Sequence, residues 1–246
     1  MNNVLSANLR RLWKGKGFLI TVLLMLCLES LFCLELLNQN STRIDLALYI
    51  SIQGIGIFIS VAFSLFYGTE YSDNTLRNKL IVGHKRRDIY LAGWLSTAAA
   101  VSVLYMLWIG TGAVFAIIMH LPIKLSSHML FTGIIGWLAC ISYISIYNLI
   151  GMLSSNKAKT SIMTILCAFA LLFGGLACYS LARPGLLSET NRLIFQLLFD
   201  FNPYGQIFQF MTLDKAGLWR LGMYSVFLTV CLNATGIYLF ERKDIK

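Results

Sequence analysis

The stretch "GTEYSDNTLRNKLIVGHKRRDIY", Gly68 to Tyr90, separates two strongly apolar runs. It packs Arg77, Lys79, Lys85, Arg86 and Arg87 into eleven residues, the densest cationic cluster of the chain. Apolar runs of span length on either side of a basic loop are the pattern of a membrane protein. The rest of the sequence agrees. Of 246 residues, 57% are hydrophobic and 13% charged, where a soluble domain carries roughly 25% charged residues. Mean hydropathy is +0.71. The net charge of +9 would suggest nucleic acid in a soluble protein. Here the cations sit between apolar runs, so topology explains them and no nucleic-acid partner is expected.

Working outward from the loop, six segments reach the roughly 20 apolar residues that a crossing needs. They are about 17–37, 46–67, 89–119, 129–153, 160–182 and 218–240. The first follows a basic arm, as a signal peptide does, but it is too long and lacks a small-residue cleavage pattern, so it reads as a retained span. Fourteen cations fall in the N-terminal arm, the loop after span two, the loop after span four and the tail. Six fall on the other side: Arg43, Lys124, Arg183, Arg192, Lys215 and Arg220. The positive-inside rule places the fourteen, and both termini, in the cytoplasm. Six spans require the same.

Three segments are more than plain connectors. In the arm, residues 1–16, Leu5, Leu9 and Leu12 share a stripe with Trp13 beside it, while Arg10, Arg11 and Lys14 face elsewhere. That is a helix lying in the headgroup layer, in contact with membrane lipid. In the opening loop, Ser72, Asp73 or Asn74 caps a short helix from Asn74 to Val82. Leu76, Leu80 and Ile81 form its apolar stripe, Gly83 stops it, and Arg77, Asn78 and Lys79 face away. Periodicity leaves two readings open, a docking element for a cytosolic partner or a charged anchor against lipid heads. Outside, in residues 183–217, "RLIFQLLFDF" and "QIFQFMTL" flank a turn at Asn202, Pro203, Tyr204 and Gly205. Runs this short make re-entrant or interfacial segments. Gln196 with Asp200, and Gln206 with Gln209, put one polar stripe on each run.

Inside the spans, Glu29 is an acid at membrane depth. It either lines a translocation path or is a hydrogen-bonded packing residue. Asn148 and Asn233 suit interhelical hydrogen bonds. The six cysteines lie in or at the ends of apolar runs without a CxxC, as small apolar residues, and the three histidines have no metal-ligand spacing. No P-loop, HExxH or GxSxG motif occurs. The chain therefore reads as no enzyme, with no catalytic residue, metal or cofactor of its own, driven by energy from elsewhere.

The layout, with "GTEYSDNTLRNKLIVGHKRRDIYLAGWL" and "FDFNPYGQ" as its specific motifs, resembles the ABC-2 type permeases. The resemblance implies an all-α fold of six transmembrane helices with an interfacial N-terminal helix, cytosolic coupling helices and external re-entrant helices before the last span, one domain over residues 1–246. It implies that Glu70 to Tyr90 is the first coupling helix, entering a cleft on an ABC-type ATP-binding subunit. Its contact residues would be Asn74, Thr75, Leu76, Arg77, Asn78, Lys79, Leu80, His84, Lys85, Arg86 and Arg87. A second contact would be the loop at Ser155, Asn156 and Lys157. ATP and Mg would be held by that subunit, and two copies of this chain would pair with two ATPases in a bacterial cytoplasmic membrane. The sequence departs from the family pattern at Asn74, where Gly is common, and at His84-Lys85, where small residues are common. Among members, small Firmicutes permeases look closest: exporters of amphipathic toxic peptides like the phenol-soluble modulins, and lantibiotic-immunity pumps. Peptide export is the expectation. Drug or bacteriocin resistance, export of a lipid-linked substrate, and a non-transporting scaffold for an ATPase are the alternatives.

Overall fold

The computed structural model describes residues 1–38, 48–120, 126–185 and 188–243. The cations Arg43, Lys124 and Lys246 and the first residues of the second expected span lie outside them. Regular structure among the described residues is helical throughout, with no strand. Helix α1 is Asn2–Lys14 and α2 is Lys16–Asn38. A 3-10 turn at Ile50–Gly54 leads into α3, Ile55–Ser72. Helix α4 is Thr75–Ile81 and α5 is Arg86–Ile118. Helices α6, Ser127–Leu153, and α7, Lys157–Leu181, follow. The short α8, Glu189–Phe201, and α9, Pro203–Gln209, precede α10, Lys215–Arg242. Six of these are long and apolar enough to cross a membrane: α2, α3 (with its preceding turn), α5, α6, α7 and α10. The chain is a multi-pass membrane protein.

Helices α3 and α6 form the centre. In their apolar windows 61% of residues are buried, against 17% in α7 and α10. Ile55, Ile59, Phe63 and Tyr67 recur every fourth residue along α3 and are almost wholly buried, one face of a helix. Helix α6 packs against α10, α5, α3 and α9, and α3 against α7 and α2. Lipid is as apolar as leucine, so close packing and hydrogen bonds, not water exclusion, hold such helices together. Buried tyrosines supply both. The hydroxyl of Tyr49 donates to Met129 O at 2.9 Å, Tyr105 to Gly133 O at 2.7 Å and Tyr147 to Gly56 O at 3.0 Å. Tyr67 bonds Thr97 Oγ1 at 2.8 Å. Each hydroxyl ties one helix, or the segment leading into it, to the backbone or side chain of another.

Two boundaries differ from the sequence reading in ways that matter below. The second span does not end near Tyr67, because α3 runs on to Ser72 and carries Glu70 inside a helical turn. The N-terminal helix does not reach residue 16. Gly15 is extended (ψ 121°), and its N–H closes α1 on Leu12 O. The chain turns there into α2. Of the cysteines, Cys33 and Cys140 are buried, whereas Cys27 and Cys231 are on the outer surface of the bundle.

Candidate functional site

At the end of the bundle that carries α1, three elements meet on one carboxylate. The polar tail of α3 brings Glu70 inward to 1% exposure. Lys79, one turn into α4, donates to both its oxygens at 2.9 and 2.7 Å. Arg11, near the end of α1, donates to Glu70 Oε1 through Nη2 and to Thr75 Oγ1 through Nη1 at 3.2 Å. Thr75 donates to Glu70 Oε2 at 2.9 Å, and the Lys79 ammonium also donates to Asn8 Oδ1 at 2.8 Å. The Arg11 guanidinium lies 4.7 Å from the Phe66 ring centroid. Charged pairs of this kind survive burial only when hydrogen bonds satisfy the remaining lone pairs and protons; Glu70 here has three donors. Burial holds the Lys79 ammonium below its ordinary pKa, against the opposite pull of Glu70.

This arrangement corrects two sequence expectations. Lys79 does not face away with Arg77 and Asn78; it points back under the helix. Arg11 does not face outward with Arg10 and Lys14. The buried stripe of α1 is Val4, Asn8 and Leu12, with Arg11 turned inward beside it. Both cations turn because a buried carboxylate leaves no cheaper partner. The apolar stripe of α4 is also divided: Leu76 is buried at 1% exposure, Leu80 is half-buried, and Ile81 and Val82 stand 72% and 76% exposed.

The cap of α4 lies where expected but works differently. Asn74 is the N-cap residue, yet its side chain makes no capping bond. Its backbone is left-handed, with φ 53°. That conformation suits Gly best and Asn next. Gly83, at φ 92°, ends the helix. Beyond it, Lys85 is the N-cap residue of α5 and is exposed with Arg87, whereas His84 is half-buried. Arg86 is used internally, donating to Phe240 O at 3.2 Å and to Lys243 O. The outward surface of the loop therefore includes Asp73, Asn74, Arg77, Asn78, Ile81, Val82, Lys85 and Arg87.

The tail of α10 joins this end to the second expected contact loop. Lys243 Nζ donates to Tyr71 Oη at 2.7 Å, to Met152 O at 3.1 Å and to Ser154 O. Burial, with Lys159 and Arg86 nearby, pushes its pKa down to about 8. Ser155, Asn156 and Lys157 are exposed just beyond. Asn156 has a local role that sequence reading missed: its Oδ1 accepts from Lys159 N at 2.8 Å and caps α7.

At the opposite end, α8 and α9 make a hairpin. Asn202, Pro203, Tyr204 and Gly205 are not a free turn but a helix start. Asn202 Oδ1 accepts from Tyr204 N at 3.0 Å, and Pro203 takes the first helical position. The two expected polar stripes merge on Asp200, which is 2% exposed. Gln196 and Gln209 both donate to its Oδ1 at 2.8 Å, and Arg220 of α10 lies 3.0 Å from its Oδ2. The hairpin tip seats on the bundle. Asn202 Nδ2 donates to Leu171 O of α7 at 2.7 Å, and Ser225 of α10 donates to Gln206 Oε1 at 2.7 Å. Gly175 leaves the space against which Tyr204 lies; a Cβ there would approach the ring to 2.7 Å.

Between the two ends, the α6–α10 seam is polar. Ser142 donates to Ser225 O at 3.1 Å, and Asn233 and Trp94 both donate to Ser145 Oγ, at 3.1 and 3.0 Å. Asn233 thus makes the expected interhelical bond. Asn148, one turn on from Ser145, instead faces Tyr90 of α5, without a close hydrogen bond between them. Glu29 is 1% exposed and turned toward α5, where Trp108 Nε1 donates to it. Within the chain it has the setting of a hydrogen-bonded packing residue.

No protein-family model matches the chain, and no curated protein matches it.

Proposed function

We propose that the chain is the transmembrane permease subunit of an ATP-driven exporter of the ABC-2 type, expelling amphipathic or toxic peptides with ATP hydrolysed on a separate subunit. The observation that carries this reading is the Glu70 cluster. A docking helix must transmit movement of its partner instead of yielding to it. Helix α4 is fixed on its inner face through Lys79 and Thr75 to α3, and through Arg11 to α1, while its outer face and end offer exposed Ile81 and Val82 flanked by Arg77, Lys85 and Arg87. Lipid anchoring alone would need the charges but not the internal brace. Beside it, the exposed loop Ser155–Lys157 supplies the second contact, held in reach by Lys243.

Several features support the finer layout. The cation count puts α1, α4 and the close of α10 in the cytoplasm. Helix α1, with Trp13 exposed and cations along its outer side, suits the inner headgroup layer. The hairpin tip suits re-entry from outside. Its bonds to Leu171 and Ser225 lie ten residues from the outer ends of α7 and α10, a depth of about 15 Å. Leu193, Ile194, Leu197 and Leu198 are left exposed on α8, facing lipid. Six spans form half of an exporter, so a second copy completes the pathway.

The test is reconstitution with the ATP-binding subunit in vesicles. An amphipathic helical peptide is expected to stimulate ATP hydrolysis, and Arg77→Glu is expected to abolish stimulation. Stimulation by a non-peptide compound alone would discard the substrate class. Hydrolysis indifferent to every compound would favour the scaffold alternative.

A further inference from the structure

We propose that the corner between α1 and α2 holds one anionic glycerophospholipid, its phosphate at the cationic mouth and an acyl chain along α3. The inference rests on the membrane placement alone and is independent of the exporter reading. A cleft of about 270 Å³ opens between the end of α1, the start of α2 and α3. Its walls are Phe18, Ala62, Phe63, Leu65 and Phe66, an apolar trough. Its mouth carries Lys16 and Arg11, with Asp73 the one acid at the rim. A shallower hollow continues past Gly15 onto Arg10 and Lys14. Four cations against one acid, beside a greasy trough, complement a molecule with an anionic head and a hydrocarbon tail.

The charge at the mouth is not consumed internally. Arg11 is paired with Glu70, but Glu70 is shared with Lys79, so the cluster keeps one net positive charge. Lys14 and Lys16 are exposed, with no ion pair among the described residues. Trp13 stands 39% exposed with its ring edge-on to Phe18, centroids 5.2 Å apart. That is the level at which aromatic residues settle in a bilayer interface. A zwitterionic lipid would match the trough but leave the excess cations unanswered.

The experiment uses the full chain, purified in detergent, stripped of lipid and examined by native mass spectrometry with phosphatidylglycerol, phosphatidylcholine or inorganic phosphate added. One phosphatidylglycerol is expected to stay bound at activation that removes phosphatidylcholine, and its retention is expected to raise the melting temperature. Lys16→Ala is expected to weaken binding about fivefold, the effect of one cation at an anionic surface. Ala62→Leu, which narrows the trough, is expected to remove the bound lipid. Should Ala62→Leu fail to fold, the exposed Lys16→Ala still decides. Equal retention of the two lipids, displacement by inorganic phosphate, or full retention in a folded Ala62→Leu protein would overturn the proposal. No ATPase is present, so failure of the exporter reading would leave this result standing.

Discussion

Lys79 and Glu70 are nine residues apart in sequence and belong to different helices, yet the ammonium bonds both carboxylate oxygens at 2.9 and 2.7 Å. The carboxylate is almost fully buried, and the lysine side chain is only 15% exposed. The pair closes the angle between α3 and α4. Arg11 adds α1 to the same point. Removing the carboxylate strands two cations, whereas removing one cation leaves Glu70 paired with the other. Glu70→Gln is therefore expected to destabilise the protein by about 3–5 kcal/mol, and Lys79→Met by less. Thermal unfolding in detergent measures both. An equal or larger loss for Lys79→Met would show that Glu70 is not the hub.

Asn74 sits at φ 53° at the start of α4. Asn74→Gly is expected to leave stability within about 0.5 kcal/mol of the original. Asn74→Val is expected to cost about 1–2 kcal/mol, the cost of a left-handed backbone for such a residue. If both behave alike in thermal unfolding, backbone handedness is not what selects this residue.

Much of the architecture is legible in the sequence because the bilayer imposes a length. A crossing needs a long apolar run, and runs of that kind stand out between Gly17 and Leu37 or between Met129 and Leu153. The punctuation at Asn74 and Gly83 is legible too, since few residues accept positive φ. The directions of Lys79 and Arg11 are not. Each is set by Glu70, and Arg11 lies 59 positions away in the chain. Local periodicity sees a cation on a helix and assigns it to solvent. The same holds outside: Gln196, Gln206 and Gln209 read as separate stripes until the fold brings them together around Asp200. Asn202-Pro203 reads as a turn because a cap and a break use the same residues, and only the following helix distinguishes them.

Lys243 gives a pH signature. Its folded pKa is lowered to about 8 from an ordinary value of 10.5. Between those values the unfolded chain binds a proton that the folded chain has released, so stability rises with pH across that window. Below about pH 8 both states are protonated and the contribution is flat. Lys243→Met is expected to remove the rise. Melting temperatures at about pH 7.5, below the window, and at about pH 9.5, inside it, measure it; a fall specific to the wild type would reverse the sign of the argument.

Asp200 holds the hairpin through Gln196, Gln209 and Arg220. Asp200→Leu leaves the amide donors of buried Gln209 and half-buried Gln196 without their acceptor and is expected to cost about 2–4 kcal/mol. Arg220→Ala is expected to cost less than about 1 kcal/mol, because that side chain is 51% exposed. Limited proteolysis between α7 and α10 should quicken in Asp200→Leu and hardly change in Arg220→Ala. Equal protection of both variants would show that the hairpin is held by apolar contact alone.

The central proposal is that the outer face of α4, and not its inner face, is the surface that meets an ATP-binding subunit. Co-purification of the two subunits after joint expression tests it most directly, with Arg77→Glu and Ile81→Asp combined on that outer face. The wild-type chain is expected to retain its ATPase through purification. The double variant, whose changed side chains are both exposed, is expected to keep the wild-type melting temperature and lose the ATPase. A folded double variant that still retains its ATPase in full would contradict the account.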